Sequence, residues 1–161
     1  MKKAILFLSI IVASGLTMVT VYQTVIDSRS WSSDIPASIQ AAREYYKHVD
    51  PRLFYTMIGP PNFLLSLLAI ILFWKSGIAM RIYLVIALLC YAAILVLTFA
   101  YFIPRDLILF TWPIRDHIEE IRTSASQWSQ VNWLRTLLGL TGVLFSFKGL
   151  DTYYKGQAPR R

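Results

Sequence analysis

The sequence predicts an all-α membrane protein, a bundle of four transmembrane helices with two further amphipathic helices on its outer side. Three observations predict it. The chain of 161 residues is 56% hydrophobic and only 16% charged, whereas soluble domains carry about 25% charged residues. Long apolar runs account for this bias, and the segments between the runs differ sharply in charge.

The four apolar runs cover residues 4–26, about 62–74, 82–102 and 131–150. Because roughly 20 helical residues cross a bilayer, the first, third and fourth runs are long enough alone. The second reaches that length only if residues from Leu53 join it through Pro60 and Pro61, where we expect a kink. The first run exceeds the about 15 apolar residues of a secretory signal, so we expect it to be a retained span.

The distribution of charge predicts the orientation. One side consists of the N-terminus, the 75–81 turn and the C-terminal tail, and it holds eight basic residues against Asp151 alone. The other side consists of both long loops and the head of the fourth run, and it holds eight basic against eight acidic residues. The net charge of +7 therefore lies on one side, which the positive-inside rule makes cytoplasmic.

These charges predict a multi-pass protein of the cell membrane, the inner membrane in a bacterium, with both termini in the cytoplasm. We assign the basic tail, which includes Arg160 and Arg161, to membrane lipid headgroups rather than to nucleic acid.

Both long loops carry apolar residues at helical spacing. The spacing predicts one amphipathic helix over 35–49, behind Asp34 and Pro36, and another over 114–128, behind Thr111 and Pro113. Aromatic residues near these loops predict a belt at the outer membrane interface, formed by Trp31, Trp112, Trp128, Tyr22, Tyr45, Tyr46, Tyr55 and Tyr101.

The chain is interpreted as one membrane domain, 1–161, whose halves 1–76 and 77–161 share one plan. Residues 62–69 and 132–139 match in pattern: each has Asn, an aromatic residue, Leu, any residue, a hydroxyl residue, Leu, Leu and a small residue. Asn62 and Ser66 thus correspond to Asn132 and Thr136. A duplication would make the halves a parallel repeat and set Asn62 opposite Asn132. The alternative is that leucine-rich helices align by chance.

Polar and small residues follow one stripe in each run, which predicts the face that packs inward. The stripes are Ser9, Ala13, Thr17, Thr20 and Thr24; Asn62, Ser66 and Ala69; Tyr83, Ala87, Tyr91, Thr98 and Tyr101; and Asn132, Arg135, Thr136, Gly139, Gly142 and Ser146. Because polarity gathers in the outer half, we expect an outward pocket suited to a flat, lipid-soluble molecule with a few hydroxyl or carbonyl groups.

Arg135 lies about one turn into the fourth run, where a charge is costly in lipid. Its side chain could snorkel to the interface, or pair with Asp27 or Asp106. The third interpretation is that it faces inward with Asn132 and Thr136 and binds an oxyanion or carboxylate. We expect the guanidinium and the carboxamides of Asn62 and Asn132 to face one shared chamber.

Each long loop carries one histidine beside an acid: Glu44 with His48 at i,i+4, and His117 with Glu120 at i,i+3. The favoured role is proton transfer near neutral pH, and a shared metal site is the alternative. No phosphate loop, nucleotide fingerprint or haem-attachment motif is present in the sequence, and Cys90 is the only cysteine. The prediction is that the protein uses neither a metal nor a cofactor.

The stretch Trp128-Ser129-Gln130-Val131-Asn132-Trp133-Leu134-Arg135-Thr136-Leu137-Leu138-Gly139 resembles the last-helix motif of the anthrone-oxygenase-like integral membrane family. The stretch 101–107 and the tryptophan-containing first loop also resemble the corresponding segments of that family. The resemblance implies a small four-span membrane protein, and a few members of the family are linked to cofactor-independent oxygenation of polyphenolic anthrones.

The resulting hypothesis is an oxygenase or oxidoreductase that acts on a lipid-soluble polyphenol or quinol. Arg135 and Asn132 would stabilise an enolate, while His48 or His117 would remove the proton. The expected substrate-binding residues are Asn62, Ser66, Thr136, Tyr101 and Trp128. The alternative is a non-catalytic binder of a hydrophobic small molecule, or a small subunit of a membrane complex. A homo-oligomer is compatible with either hypothesis.

Overall fold

The computed structural model describes residues 2–156, and over that range it contains helices and turns but no strand. The all-α prediction is thereby confirmed, while Arg160 and Arg161 lie outside the described residues. In this range the helices are α1 (Lys2–Ser32), α2 (Ala37–Tyr45), α3 (Arg52–Phe73), α4 (Ile78–Thr111) and α5 (Ile118–Lys155).

Three helices, α1, α3 and α4, are long and apolar enough to cross a membrane, which identifies a membrane protein. α3 begins at Arg52 and continues through Pro60 and Pro61. The second apolar run therefore gains the residues that it needed in order to reach a spanning length.

Both α1 and α4 contain one π-helical segment, over Gln23–Asp27 and Thr98–Phe102 respectively. A π turn holds an extra residue, so it rotates the side chains that follow it relative to a regular α-helix. Such bulges are frequent at functional sites. In this chain both segments lie towards the end of the bundle that carries α2.

The long helices α1, α3, α4 and α5 pack in a ring, in which α1 contacts α3 and α5, and α4 contacts α3 and α5. The stripes predicted to pack inward on α1 and α5 are buried throughout. The opposite face of α5 exposes the apolar side chains that suit lipid, Trp133, Leu137, Leu140, Leu144 and Phe147.

Hydroxyl and amide groups connect the helices inside the ring. Ser9 and Ser66 share a hydrogen bond of 3.1 Å between α1 and α3, and Thr24 and Thr136 share one of 2.9 Å between α1 and α5. Glycine allows the closest approach: a Cβ at Gly139 would lie 2.8 Å from Thr17 Oγ1. The small-residue stripe of α5 is therefore used for packing within the chain.

Two apolar clusters fill opposite ends of the ring. One lies near the helix ends that carry the 75–81 turn and contains Leu6, Ile10, Phe73, Met80, Leu84 and Leu150. The other lies near α2 and contains Trp31, Ile39, Phe102, Leu109, Ile121, Ala125 and Trp128. The second cluster, named the outer cluster after the side predicted to face outward, forms the base on which the candidate site is built.

The structure corrects two expectations about the long loops. A separate helix over 114–128 is wrong, because α5 begins at Ile118 and continues without a break to Lys155. Ile121, Ala125 and Trp128 lie on the same buried face of α5 as Asn132. The predicted loop helix therefore continues the inward face of the fourth apolar run. The predicted helix over 35–49 is also shorter and ends at Tyr45.

The aromatic belt is partly wrong as well. Trp31 is only 5% exposed and Trp128 only 2%, whereas Trp112 and Tyr45 remain exposed. The two buried indoles meet edge to face at 5.0 Å. α2 covers this end of the ring, so the indoles pack inside the outer cluster instead of reaching the interface.

Candidate functional site

A cavity of about 400 Å³, here called the main cavity, opens beside the outer cluster. Its lining comes from α1, α2, α3, α4, α5 and the segment between α2 and α3. The lining residues that matter for its chemistry are Gln23, Trp31, Arg43, Lys47, His48, Asp50, Arg52, Tyr55, Thr98, Phe102, Asp106, Trp128 and Arg135.

Arg135 forms part of the wall of the main cavity and is 2% exposed. Its guanidinium carbon lies over the rings of Phe102 at 4.1 Å, Tyr55 at 4.7 Å and Trp128 at 5.6 Å. The ring faces attract the cation, and they hold the flat guanidinium in one place. The inward interpretation of Arg135 is therefore the one that the structure adopts, and the snorkelling alternative is wrong.

Gln23 accepts the hydrogen bond that orients Arg135. Arg135 Nη2 donates to Gln23 Oε1 at 2.8 Å, and the Tyr55 hydroxyl donates to the same oxygen at 2.6 Å. Gln23 is the first residue of the π segment of α1, and its side chain contacts Tyr55 on α3 and Arg135 on α5.

No ion pair involves Arg135 within residues 2–156, and its Nε has no hydrogen-bond partner there. The expected pairs with Asp27 or Asp106 are therefore not formed. Leaving a buried cation without an anion is costly. The site consequently presents a fixed positive charge that an anion from outside the protein can neutralise.

Asp106 is the carboxylate that lies deepest in the lining. Trp128 Nε1 donates to Asp106 Oδ1 at 2.8 Å, which holds the carboxylate in place. Asp106 forms no ion pair within the described part of the chain. Its carboxylate and the Arg135 guanidinium both contact Trp128, one through the indole nitrogen and one through the ring.

The mouth of the main cavity carries further charge. Asp50 and Arg52 form an ion pair of 2.6 Å, and the hydrogen bond from Arg52 lowers the pKa of Asp50. Four basic and two acidic side chains line the whole cavity. Its electrostatic potential therefore favours an anionic ligand or transition state.

α2 covers the cavity and is attached to α4 through Arg43. The Nε and Nη2 atoms of Arg43 both donate to the Leu109 carbonyl, at 2.8 and 2.6 Å. Burial lowers the pKa of Arg43 and raises the pKa of Tyr46, which packs on the same face, to about 12. The two hydrogen bonds from Arg43 to the Leu109 carbonyl thus hold α2 against α4.

The structure brings together some of the sequence-predicted site residues and separates others. Arg135, Trp128 and His48 line the main cavity. Asn132 is fully buried and donates to Thr24 Oγ1 at 2.7 Å, so it joins α5 to α1 instead of facing the cavity. Thr136 binds the same threonine.

The other predicted residues lie elsewhere. Ser66 contacts Ser9 between helices. Tyr101 donates to the Gln127 carbonyl, with the Arg105 guanidinium over its ring at 3.5 Å. His117 packs against Trp112 at 4.8 Å and lines neither of the two pockets described here.

Asn62 lies in a second, much smaller pocket of about 30 Å³, the side chamber, which is lined by Ala13, Leu16, Thr17, Thr20, Tyr55, Gly59, Asn62, Tyr91, Ile94, Leu95, Thr98 and Gly139. The single chamber expected for Arg135, Asn62 and Asn132 is therefore wrong. The helices face each other at different heights and rotations, which the spacing of residues along one helix does not specify.

Of the two predicted acid–imidazole pairs, the structure forms His117 with Glu120 but not Glu44 with His48. α2 ends at Tyr45, so His48 does not share a helical face with Glu44, which pairs with Lys47 at 3.1 Å instead. His117 Nδ1 lies 3.6 Å from Glu120 Oε1 at the start of α5. Among residues 2–156, no group of three histidine, cysteine, aspartate or glutamate side chains is placed to hold a metal ion.

Sequence reasoning missed Gln23, Tyr55 and Phe102 as neighbours of Arg135. Two of them carry a signal in the sequence: Gln23 is an amide at the end of one apolar run, and Tyr55 is a tyrosine close to the start of another. No sequence signal indicated the two π turns, which begin at Gln23 and end at Phe102.

A comparison with protein families gives a match over residues 52–145, more than half of the chain, to a model described as Anthrone oxygenase. Searches of curated proteins and of solved structures found no match. The matched segment includes Tyr55, Phe102, Asp106, Trp128 and Arg135, so it covers most of the lining around the guanidinium.

Proposed function

This chain belongs to the anthrone oxygenase family, and from that premise we propose that it oxidises a polycyclic phenolic ketone with dioxygen, without a cofactor, in the main cavity. Ligand pockets measure about 300–1,000 Å³, so the 400 Å³ cavity has room for a flat molecule of three fused rings. Tyr55, Phe102 and Trp128 contribute to the wall of the cavity and give it the aromatic character that suits such a molecule.

The observation that carries the proposal is the buried, unpaired guanidinium of Arg135. An anthrone that loses a proton from its central CH₂ group becomes an enolate, whose negative charge lies on the former carbonyl oxygen. A positioned cation stabilises this charge most strongly in a site with little water. Arg135 is positioned in advance by Gln23 and by three aromatic rings, so it needs no reorganisation when the charge develops.

The proposed chemistry balances as follows. A base takes one proton from the CH₂ carbon, and the enolate transfers one electron to dioxygen, which gives a carbon radical and superoxide. The two combine through a new carbon–oxygen bond, and protonation gives a hydroperoxide. Loss of the second hydrogen of that carbon, with cleavage of the O–O bond, releases water and leaves a carbonyl group, so one oxygen atom stays in the quinone.

Two groups of the lining are candidates for the base. His48 lies at the mouth, and Asp106 lies deeper, beside Trp128. His48→Gln and Asp106→Asn separate these roles. Loss of the acting base lowers kcat and removes the acidic limb of the pH profile, whereas the other substitution leaves that limb in place.

We also propose that α5 crosses the membrane, which makes four spans with both termini in the cytoplasm of a bacterial cell. The support is the apolar face of residues 131–150 and the burial of Arg135, which removes the charge from lipid. Cysteine labelling from outside the cell tests this arrangement: single cysteines at positions 48 and 116 should react, and one at position 76 should not.

The direct test of function uses the purified protein in nanodiscs with an anthrone in an oxygen electrode. We expect oxygen uptake with wild type, and with ¹⁸O₂ one labelled oxygen in the quinone. Arg135→Gln should lower kcat by about 10²-fold or more, the size of effect known for removing one oxyanion donor. The matched control is Arg115→Gln, at an exposed arginine, which should retain full activity. Background uptake by both wild type and Arg135→Gln would reject the proposal.

The second candidate is a hydrophobic-ligand binder that uses the same cavity without turnover. Its support is the enclosed aromatic lining, which binds a flat molecule whether or not chemistry follows. Native mass spectrometry of the protein from its own membrane distinguishes the two: a retained polycyclic ligand without oxygen uptake favours the binder. The stripe of Gly139, Gly142 and Gly149 packs against side chains of this chain, which removes the main argument for a subunit role.

A further inference from the structure

We propose that the side chamber is a dioxygen site that supplies the reaction in the main cavity, an inference that rests on the proposed function. The chamber of about 30 Å³ is too small for any part of a polycyclic substrate larger than a single substituent. It is large enough for a diatomic molecule, since one water needs about 10–15 Å³.

The position of the chamber connects it to the main cavity. Tyr55 and Thr98 line both spaces, so the chamber and the main cavity are neighbours that meet at these two side chains. The remainder of the lining belongs to the apolar stretches of α1, α3, α4 and α5. Dioxygen is apolar and dissolves better in hydrocarbon than in water, so it reaches this space from the membrane interior.

Most hydroxyls that line the chamber have no free hydrogen to offer a molecule inside it. The hydroxyls of Thr17, Thr20 and Thr98 each donate to a carbonyl of their own helix. The Tyr55 hydroxyl donates to Gln23, and Tyr91 shares a hydrogen bond with Ser146. A buried water makes about three hydrogen bonds, and to the hydroxyls of Thr17, Thr20, Thr98 and Tyr55 it could only donate, because their own hydrogens are engaged.

Asn62 is the polar exception in the chamber. It is 5% exposed, and its Oδ1 has no hydrogen-bond partner among the described residues. A cofactor-free oxygenase has no metal to hold dioxygen, so it depends on a shaped space next to the substrate. The Asn62 carboxamide gives this space one polar end, and its Nδ2–H group is the part that can donate to a reduced oxygen species formed nearby.

Gly59 offers a precise way to fill the chamber. A Cβ added at Gly59 would meet only Leu95 Cδ1, at 3.5 Å, an ordinary contact. Gly59→Ala therefore places a methyl group in the chamber without moving the backbone. Gly15→Ala is the matched control, because Gly15 has open space around it on the exposed side of α1.

The experiment measures oxygen uptake against dioxygen concentration at saturating anthrone. We expect Gly59→Ala to raise KM for dioxygen by about threefold or more with kcat retained, because it removes binding and not transition-state stabilisation. Leu95→Ala, which enlarges the chamber, should not raise this KM, and Gly15→Ala should match wild type. An unchanged KM in Gly59→Ala overturns the inference.

Xenon provides a readout that does not depend on activity. Crystals of the wild type under xenon pressure should show a xenon atom between Gly59, Leu95 and Asn62, and Gly59→Ala crystals should not. An ordered water bound to Asn62 that xenon does not displace would overturn the inference. If the wild type consumes no oxygen at all, the proposed function fails, whereas normal turnover without xenon binding rejects the dioxygen site alone.

Discussion

Arg135 on α5 donates a 2.8 Å hydrogen bond to the neutral side chain of Gln23 on α1, and not to a carboxylate. The partner that orients the guanidinium therefore leaves its charge intact. A carboxylate at the same place would provide a similar bond and neutralise the charge. This difference separates a structural arginine from one that is available to a substrate anion.

Gln23→Glu tests this distinction. The new carboxylate pairs with Arg135, so we expect an unchanged or higher midpoint of thermal unfolding in detergent. With its charge neutralised, the guanidinium stabilises an enolate less, and kcat for an anthrone should fall by about tenfold or more. Gln23→Leu is the control, because it removes both hydrogen bonds and should lower the unfolding midpoint. A Gln23→Glu protein with full activity would contradict the role given to the charge.

Trp128→Phe tests the hydrogen bond that holds Asp106. The substitution keeps an aromatic ring against Trp31 and Phe102 but removes the indole donor to the carboxylate. A lost hydrogen bond to a charged group lowers the free energy of unfolding by about 1.5–3 kcal/mol. The measurement is reversible unfolding in mixed micelles.

The control for that measurement is Trp133→Phe, on the exposed apolar face of α5, where the tryptophan is 46% exposed. It should change stability by less than about 0.5 kcal/mol. Equal effects of the two substitutions would mean that the Asp106 contact contributes nothing specific.

Arg43→Gln tests the attachment of α2 over the main cavity. The substitution removes the paired hydrogen bonds to the Leu109 carbonyl. We expect faster amide hydrogen exchange over residues 37–45 with little change in α1, α3 or α4, because the cover opens locally more often.

Arg29→Gln provides the comparison for the cover, since Arg29 is an exposed arginine at the end of α1. Its exchange pattern should match that of the wild type. If amide protection over residues 37–45 were unchanged in Arg43→Gln, the apolar contacts of Ile39 and Tyr46 would be sufficient to hold α2 in place.

Gly142→Ala tests the close contact between α4 and α5. A Cβ at Gly142 would lie 2.5 Å from Cε1 of Tyr91, and the ring is held by its hydrogen bond with Ser146. Overpacking of this kind usually costs about 1–3 kcal/mol. Unfolding in detergent should show this loss in spite of the higher helix propensity of alanine.

The Gly15→Ala protein serves again as the comparison, because the same exchange on the open face of α1 should be neutral or slightly stabilising. If Gly142→Ala were equally stable, Tyr91 would have an alternative position and the contact would not determine the spacing of the helices.

The sequence by itself determined the class of the protein and the inward faces of its helices. Apolar runs long enough for a bilayer can only be helices there, because each backbone polar group must find its partner within the segment. The buried stripes on α1 and α5 follow from the period of the helix, and so does the exposure of Leu137, Leu144 and Phe147 on the opposite face. Arg135 was recognisable because a charge in such a run is costly.

Only the tertiary structure decided which groups surround Arg135. Residue spacing predicts which side chains share one face of a helix, but the rotation and height of one helix against another depend on how all of them pack. Asn132 lies less than one turn from Arg135, yet it contacts Thr24, while Gln23 and Phe102 reach the guanidinium from two other helices.

The π turns at Gln23–Asp27 and Thr98–Phe102 add to this separation. Each shifts the later side chains of its helix out of regular phase, and a heptad or helical-period argument cannot anticipate such a shift. The candidate site therefore depends on the packing among helices and, for side chains after each π turn such as Trp31 and Asp106, on that shift, whereas the fold class follows from composition and periodicity alone.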